Sequence, residues 1–165
     1  MAAIRITGGC QCGAVRYALH GAPTNPCLCY CRMCQKQFGN VFGAFAGVRT
    51  DEFEVTRGTI AWFHSSDDAA RGFCRDCGTP LAYQFRDRPR ISVSLGSLDE
   101  PGRIKPVAQY GAEARVSWLT EVIALPATVT GDGDNGVGDT VSRYDHIRQT
   151  NHQHPDHDTA AWPPA

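Results

Sequence analysis

The chain lacks several features that would assign it to a common functional class. No apolar run approaches the ~20 residues that a membrane-spanning helix needs. Lys and Arg total 16 against 17 Asp and Glu, and they are scattered, so no basic stripe is present to bind phosphates. The first residues, MAAIRITGGCQCGA, lack the apolar core of a secretory signal. We therefore expect a cytoplasmic protein that has neither a membrane nor a nucleic acid as its partner.

Motifs of two large enzyme classes are also missing. The sequence contains no G-x-x-x-x-G-K-[ST] loop, which would bind nucleotide phosphates. It also contains no G-x-S-x-G turn, which would present a nucleophilic serine. Nothing in the sequence therefore supports a P-loop nucleotide hydrolase or a serine hydrolase.

Cysteine, by contrast, is abundant: the chain has 8 cysteines, and all of them are grouped. Cys10 and Cys12 form C-x-C, Cys74 and Cys77 form C-x-x-C, and the run CLCYCRMC holds the other four. In a reducing cytoplasm, clustered cysteines bind metal or carry out redox chemistry more often than they form structural disulfides. A disulfide scaffold would distribute its cysteines along the chain. We therefore expect metal sites.

The first and last pairs have the form of two zinc knuckles. The sequences CQCG (residues 10–13) and CRDCG (residues 74–78) each place a glycine directly after the second cysteine. A knuckle turns so tightly that its backbone N–H groups point at the thiolates, which favours a residue that tolerates positive φ at this position. Together the two pairs predict one closed site of four thiolates, which would stabilise the fold and leave no position for chemistry.

The middle cluster predicts a different kind of site. Cys29, Cys31 and Cys34 form C-x-C-x-x-C, and no distant pair remains to complete four ligands. Three protein ligands with one open position describe a catalytic zinc. Cys27 is either a small apolar residue on the entering strand, which we favour, or a fourth ligand that closes the site. A redox dithiol of Cys31 and Cys34 is disfavoured, because nothing like a βαβ unit surrounds it.

Short alternating segments bounded by turn residues predict a mainly β fold, an antiparallel sheet or a partly open barrel. One or two helical turns are expected over Arg32–Phe38, ended by Gly39. In the segment over residues 91–95, the side chains of Ile91, Val93 and Leu95 share one face, which predicts a half-buried antiparallel strand. The predicted strands cover residues 15–19, 42–48, 53–56, 60–64, 81–85 and 91–95. The aromatic residues predicted to lie in the core are Phe42, Phe45, Phe53, Trp62, Phe63, Phe73 and Phe85.

Composition changes after about residue 125, which predicts a zinc-binding domain over residues 1–126 and a Gly/Asp/Pro-rich tail over residues 127–165. Residues 130–142 are expected to be flexible, because they contain too little apolar surface to order themselves. The final stretch contains Trp162, which suggests that it docks on the domain. Its histidines and acids are expected to be hydrated rather than to bind metal; they are His152, His154, Asp156, His157 and Asp158.

Four motifs occur in a recognisable order: GGCQCGAVRY, CRMCQKQFGN, RGFCRDCGTPLAY and SLGSLDEP. Their order and separations resemble the glutathione-dependent formaldehyde-activating enzyme family, also called the GFA or centromere-protein-V family, over about residues 7–125. The resemblance implies a zinc-bound β-tent (Mss4-like) fold with two zinc ions. The implied structural ligands are Cys10, Cys12, Cys74 and Cys77. The implied ligands of the second, catalytic-type zinc are Cys29, Cys31 and Cys34.

The same resemblance implies a carbon–sulfur lyase that joins glutathione, as co-substrate, to formaldehyde, or cleaves the adduct. A metal-held thiol is a thiolate at neutral pH, and the thiolate is the nucleophile. This chain has Tyr30 where the family motif often has His, and tyrosine, with a pKa near ~10, is a poor base at neutral pH. A cation would help to hold the carboxylates of glutathione. Arg32, Arg71 and Arg75 flank the cysteine motifs, and the sequence does not choose among them.

Two other functions remain open from the sequence. With both sites closed, the protein would be a zinc-stabilised binding module. With labile zinc and reversible oxidation of the middle cluster, it would be a thiol or metal buffer. Because one fold hosts many functions, the fold alone does not decide. The open position of the second site favours the enzyme, whereas the aldehyde, the acid–base residue and the oligomeric state are not predicted.

Overall fold

Strands dominate the computed structural model, which describes residues 4–127 and 140–162, with backbone alone for residues 140–142. The predicted mainly β class is confirmed. In the described ranges the elements are β1 (Ile6–Gly9), β2 (Arg16–Leu19), β3 (Thr24–Cys29), α1 (Arg32–Phe38), β4 (Gly43–Arg49), β5 (Phe53–Arg57), β6 (Ala61–His64), β7 (Ala69–Phe73), β8 (Pro80–Phe85), β9 (Arg90–Ser94), β10 (Ala108–Tyr110) and α2 (Thr140–Thr150).

The chain divides into two compact units. In the described ranges, the first unit runs to Arg115 and resumes at His154, and it contains all the strands and α1. The second unit is Val116–Gln153, with two short 3₁₀ turns and α2. Of the segment expected to be flexible, residues 130–139 lie outside the described part. The domain boundary at residue 126 stays a prediction.

Two sheets organise the first unit. One has three strands in the order β1-β2-β5, and the other has seven in the order β10-β3-β4-β9-β8-β7-β6. Neighbouring strands are antiparallel except β10, which runs parallel to β3. The seven-stranded sheet therefore carries Cys27 and Cys29 of the middle cysteine cluster on β3, and the residues just before the C-x-x-C pair on β7.

The main core draws side chains from both sheets. Tyr17 and Leu19 of β2 are fully buried together with Val48 of β4 and Val93 of β9. The hydroxyl of Tyr17 shares a hydrogen bond of 2.7 Å with Ser97 Oγ, which satisfies the one polar atom that this aromatic side chain brings into the core. β-branched and aromatic residues thus fill the space where strands of both sheets meet.

Two expectations about burial are corrected by the sheet order. β9 is paired on both sides, and Ser94 at its end is buried as well as Ile91 and Val93, so the strand is not simply half-buried. Trp62 and Phe63 were predicted to lie in the core but are exposed, as is Phe85. For Trp62 and Phe63 the reason is that β6 is the outermost strand of its sheet, which leaves its side chains without a neighbour on one side. Phe85 is instead the last residue of the inner strand β8.

The predicted helical turn is confirmed as α1. Its first residue follows Cys31, and it ends at Gly39, which adopts φ 56° and ψ 31° in the left-handed region. A glycine accepts this conformation without a Cβ penalty, so it is a natural terminator. Among the described residues, no helix has both the length and the apolar character to cross a bilayer.

Two candidate metal centres

The first cysteine cluster unites residues more than 60 positions apart in the chain. Cys10 and Cys12 follow β1, and Cys74 and Cys77 lie in the turn between β7 and β8. All four Sγ atoms lie within 4.8 Å of one another. The Cys10–Cys12 and Cys12–Cys74 separations are 3.6 and 3.8 Å. A tetrahedron with Zn–S bonds of ~2.3 Å has S–S edges of about 3.8 Å, so these thiols fit a zinc ion.

Both turns of this cluster have the predicted knuckle conformation. Gly13 and Gly78 adopt φ 75° and 76°, which confirms that positive φ is needed directly after each pair. The N–H of Gly78 donates to the Cys74 carbonyl at 2.9 Å, closing its turn. The N–H of Val15 donates to Cys10 Sγ at 3.2 Å. A backbone donor aimed at sulfur favours the thiolate that a metal ligand must be.

The thiols of the first cluster differ in their protonation. Burial raises the pKa of Cys10 well above that of a free thiol. Burial also acts on Cys77, but hydrogen bonds from the Thr79 hydroxyl and backbone N–H outweigh it and lower the pKa of Cys77 to about 6. The Thr79 hydroxyl lies 3.1 Å from Cys77 Sγ. Cys77 therefore ionises more readily than Cys10, as suits a thiol that binds a cation.

The C-terminal segment (residues 154–162) packs against the first knuckle. The N–H of His154 donates to the carbonyl of Gln11 at 2.7 Å, and its ring meets that of Trp162 edge-to-face at 5.0 Å. The His154 side chain is buried, which corrects the expectation that it is hydrated. A Cβ at Gly13 would clash with both rings. The glycine thus serves the knuckle turn and also leaves room for the segment.

Charged groups hold the same segment. The buried guanidinium of Arg16 donates to Asp99 at 2.6 and 2.7 Å and to Asp158 at 2.8 Å. Burial acts against ionisation of Asp99, but the bonds from Arg16 lower the pKa of its carboxyl. Arg57 donates to the Thr159 hydroxyl at 3.1 Å. Trp162 in the sequence suggested that this segment docks, but no local signal indicated that these arginines hold it.

The second cluster has three thiols at the start of α1. Cys29 ends β3, Cys31 directly precedes the helix and Cys34 lies in its first turn. Their Sγ atoms lie within 4.8 Å of one another, and no fourth Cys, His, Asp or Glu of the described residues joins this group. The donor set suits zinc, and it leaves one tetrahedral position without a protein ligand.

Cys27 lies outside that group of three. It is buried on β3, where it pairs with Phe45 of β4 and Ala108 of β10. Burial raises the pKa of its thiol, as expected for a cysteine packed among apolar side chains. The arrangement favours the small-apolar interpretation over a fourth ligand.

The thiols of the second cluster are also unequal. Burial raises the pKa of Cys34 to about 12, although a hydrogen bond from Arg71 acts in the opposite direction. Burial would raise the pKa of Cys31 too, but the backbone N–H of Cys34 and the thiols of Cys29 and Cys34 outweigh it, so that the pKa is lowered. Cys31 is the first thiol of this cluster to ionise.

The second cluster opens onto a cavity of about 410 Å³, within the usual range for small-molecule sites. Phe45 and Tyr83 form apolar parts of its wall, and Asn25, Ser92 and Tyr110 supply polar groups. The amide of Asn25 donates to the Tyr110 hydroxyl at 3.0 Å. The cavity therefore combines a thiol cluster, apolar surface and hydrogen-bonding groups.

Tyr30 does not line this cavity. Its side chain is buried and packs edge-to-face on Phe42, with ring centroids 6.1 Å apart. Its backbone N–H donates to the carbonyl of Tyr110 at 2.8 Å. Because Tyr30 alternates with Cys29 and Cys31 along the chain, its ring leaves on the other side. Its contribution is to packing, and the hydroxyl does not face the cavity.

Of the three arginines that flank the cysteine motifs, Arg71 is the one that lies against the second cluster. It is 5% exposed, and its Nη1 lies 3.6 Å from Cys34 Sγ. Arg75 is exposed, and Arg32 lines a neighbouring cavity of about 630 Å³. The position of Arg71 depends on the pairing of β7 with β8 and on the approach of α1, which no local sequence signal predicts.

Comparison with known proteins gives two findings. The sequence model described as "glutathione-dependent formaldehyde-activating enzyme" matches residues 5–113, more than half of the chain. A crystal structure of a Rhodobacter sphaeroides protein from a structural genomics programme is similar, at 26% identity and a TM-score of 0.51. The similarity covers 62% of this chain and 98% of that one. The family match includes both clusters and ends before the C-terminal segment.

Proposed function

The chain belongs to the glutathione-dependent formaldehyde-activating enzyme family, and from this premise we propose that it is a zinc-dependent carbon–sulfur lyase. It joins a glutathione-like thiol to formaldehyde or another small aldehyde, or cleaves the resulting adduct. One observation carries the proposal: three thiols meet beside a cavity, and no fourth ligand among the described residues closes the group.

The proposed ligands divide into a structural and a catalytic set. The structural set comprises Cys10, Cys12, Cys74 and Cys77, and the catalytic set comprises Cys29, Cys31 and Cys34. Zinc bound at the second set would supply one open position that holds a substrate thiol as thiolate at neutral pH. The three cysteines fix that position at the edge of the cavity.

The cavity walls carry the rest of the proposed chemistry. Phe45 and Tyr83 would exclude water from an aldehyde bound here, and the Tyr110 hydroxyl, to which Asn25 donates, would face its oxygen. In the addition, the thiolate sulfur forms a bond to the carbonyl carbon, the carbonyl π electrons move to oxygen, and oxygen takes up a proton. The product is an S-hydroxymethyl adduct. In the reverse direction the hydroxyl loses its proton and the carbon–sulfur bond breaks, which returns thiolate and aldehyde.

The proposed compartment is the cytoplasm, and the proposed partners are small molecules. All eight cysteines are free thiols, and a reducing compartment keeps them so. Within residues 4–127 and 140–162, no acidic side chain lines the cavity at the second cluster, which suits an anionic thiol such as glutathione.

The test is exchange spectroscopy by NMR on glutathione and formaldehyde at equilibrium. We expect the full chain to accelerate interconversion with the adduct, and Cys31→Ser to return it to the spontaneous rate while keeping the fold and the first metal. An exchange rate that the wild-type chain does not raise above the spontaneous rate, with every small aldehyde tried, would contradict the lyase. That outcome would favour the zinc-stabilised binding module or the thiol buffer.

A further inference from the structure

Arg71 is a buried arginine without a carboxylate. It lies on β7, is 5% exposed and forms no ion pair with any acid in the described ranges. Arg16 is buried to a similar extent, but two carboxylates hold it, those of Asp99 and Asp158. Burying a cation is costly unless a negative charge lies beside it. The contrast with Arg16 raises the question of which negative charge balances Arg71.

The groups around Arg71 point to the second cluster. Its Nη1 lies 3.6 Å from Cys34 Sγ, its Nη1 also donates to the side-chain oxygen of Gln37, and its guanidinium lies 5.1 Å over the Tyr83 ring. The oxygen of Gln37 and the ring face of Tyr83 each attract a cation, but neither carries a full charge. Of the groups that touch Arg71, the thiol of Cys34 is the one that becomes an anion as a metal ligand.

Two buried hydrogen-bond donors at and beside Arg71 have no partner among the described residues. They are the Nε of Arg71 and the Nε2 of Gln37. Arg71 lines the cavity at the second cluster and also the neighbouring cavity, where Arg32 and Lys36 are found. No Asp or Glu of the described part of the chain lines either cavity. Among the described residues, the charged side chains that line the two cavities are therefore all cations, including Arg71 and Arg88 at the second cluster.

We propose that Arg71 is a positioning residue that balances the charge of the second cluster and makes its open position selective for an anionic ligand. With Zn²⁺ bound, the three thiolates would leave one net negative charge, which a neutral fourth ligand would not change. A substrate thiol that bound as thiolate would add a second negative charge and give its proton to solvent. A fixed cation beside Cys34 stabilises the doubly charged state more than the singly charged one, because Coulomb attraction grows with charge. This inference rests on the proposed function, since it requires an open position.

The experiment uses the full chain with Co²⁺ in place of zinc, because the absorption of cobalt reports its ligands. Mercaptoethanol supplies a thiolate without a carboxylate, and glutathione supplies a thiolate with carboxylates. Thiocyanate supplies a simple anion, and imidazole supplies a neutral ligand. Arg71→Met removes the charge at similar length, and Arg71→Lys retains it. Arg86→Met is the matched control, because Arg86 is exposed and lines neither cavity.

We expect Arg71→Met to weaken the binding of mercaptoethanol and thiocyanate about tenfold or more, while the affinity for imidazole changes less than about twofold. Arg71→Lys should recover most of the anion affinity, and Arg86→Met should match the wild type. Should Arg71→Met fail to fold, Arg71→Gln serves the same comparison, because it retains a hydrogen-bonding group without charge.

Two results for Arg71→Met overturn the inference alone. Either the binding of anionic and neutral ligands is weakened equally, or the binding of glutathione is weakened while that of mercaptoethanol is unchanged. The first would make Arg71 a packing residue, and the second a carboxylate-binding one. A wild-type cobalt spectrum that responds to none of the ligands overturns the inference together with the proposed function. The wild-type titration therefore separates the failure of one from the failure of both.

Discussion

The two cysteine clusters use the same ligand atoms in opposite surroundings. The first has four thiols, two of them buried, with glycine turns on both sides and the C-terminal segment packed against one knuckle. The second has three thiols, and it opens onto a cavity with polar and apolar walls. Cysteine content alone would not separate them. The difference is created by the number of thiols that meet and by what covers them.

The buried arginines repeat this difference. Arg16 is held by two carboxylates, one of which belongs to the C-terminal segment. Its charge therefore attaches that segment to the rest of the first unit. Arg71 has no carboxylate among the described residues and lies against Cys34. A cation with protein counter-ions stabilises structure, whereas one beside a metal-binding thiol adjusts a site. Under the proposed function, the first cluster would stabilise the fold and the second would carry the chemistry.

The largest expected effect comes from removing one thiol from each cluster. Cys74→Ser takes away a buried ligand of the closed site, and we expect it to cost about 4 kcal/mol or more of unfolding free energy. Cys31→Ser should cost less than about 1 kcal/mol, because the second cluster lies at the edge of a cavity. Thermal melting followed by circular dichroism measures both. Equal losses would contradict the division of roles.

Metal removal should separate the clusters by rate. With a chelator in excess, we expect the second cluster to release zinc about tenfold or more faster than the first, because solvent reaches it through the cavity. A colorimetric zinc indicator would then record two phases. Cys31→Ser provides the control, since it should remove the fast phase and leave the slow one. A single phase in the wild type would show that both sites are equally closed.

A pair of glycine substitutions tests the C-terminal segment. Gly13→Ala and Gly78→Ala each force an alanine into positive φ at a cost of about 1 kcal/mol. Gly13→Ala also pushes a methyl group against His154 and Trp162, which should add about 2 kcal/mol, whereas nothing lies within 4 Å of a Cβ at Gly78. Urea denaturation measures both.

The control for this pair is a chain that ends at Gln153. Without the segment the extra cost at Gly13 should disappear, and the two alanine variants should become equal. If the difference between them survives truncation, the segment does not pack on the knuckle.

The smallest effect is expected at Tyr30. Because its ring is buried away from the cavity, Tyr30→Phe should leave glutathione affinity and exchange rate within about twofold of the wild type. Tyr110→Phe is the matched removal of a hydroxyl on the cavity wall, and it should slow the exchange measured by NMR. A large loss of exchange rate in Tyr30→Phe would show that the Tyr30 hydroxyl takes part in the reaction.

The cysteine groups and the knuckle glycines could be predicted because their signals are local. C-x-C, C-x-x-C and the glycine that follows each pair lie within five residues of one another, and the helix that starts after Cys31 ends at a glycine for a local reason too. Short alternating stretches likewise predicted most strands. These features depend on neighbours in the sequence, which is the information that a sequence carries directly.

The parts that could not be predicted depend on long-range pairing. Arg71 is buried because β7, β8 and α1 meet, and Phe63 is exposed because β6 is an outer strand. The contacts of Asp158 with Arg16 join residues 142 positions apart. No composition or periodicity within the final residues indicates that an arginine near the beginning of the chain will bind them.

The central claim, one closed site and one open, is tested most directly by native mass spectrometry on protein purified under reducing conditions. The account predicts two zinc ions per chain and one glutathione adduct when glutathione is added in excess. Cys31→Ser should retain one zinc ion and form no adduct. Two zinc ions without a glutathione adduct, or a single zinc ion in the wild type, would contradict the account.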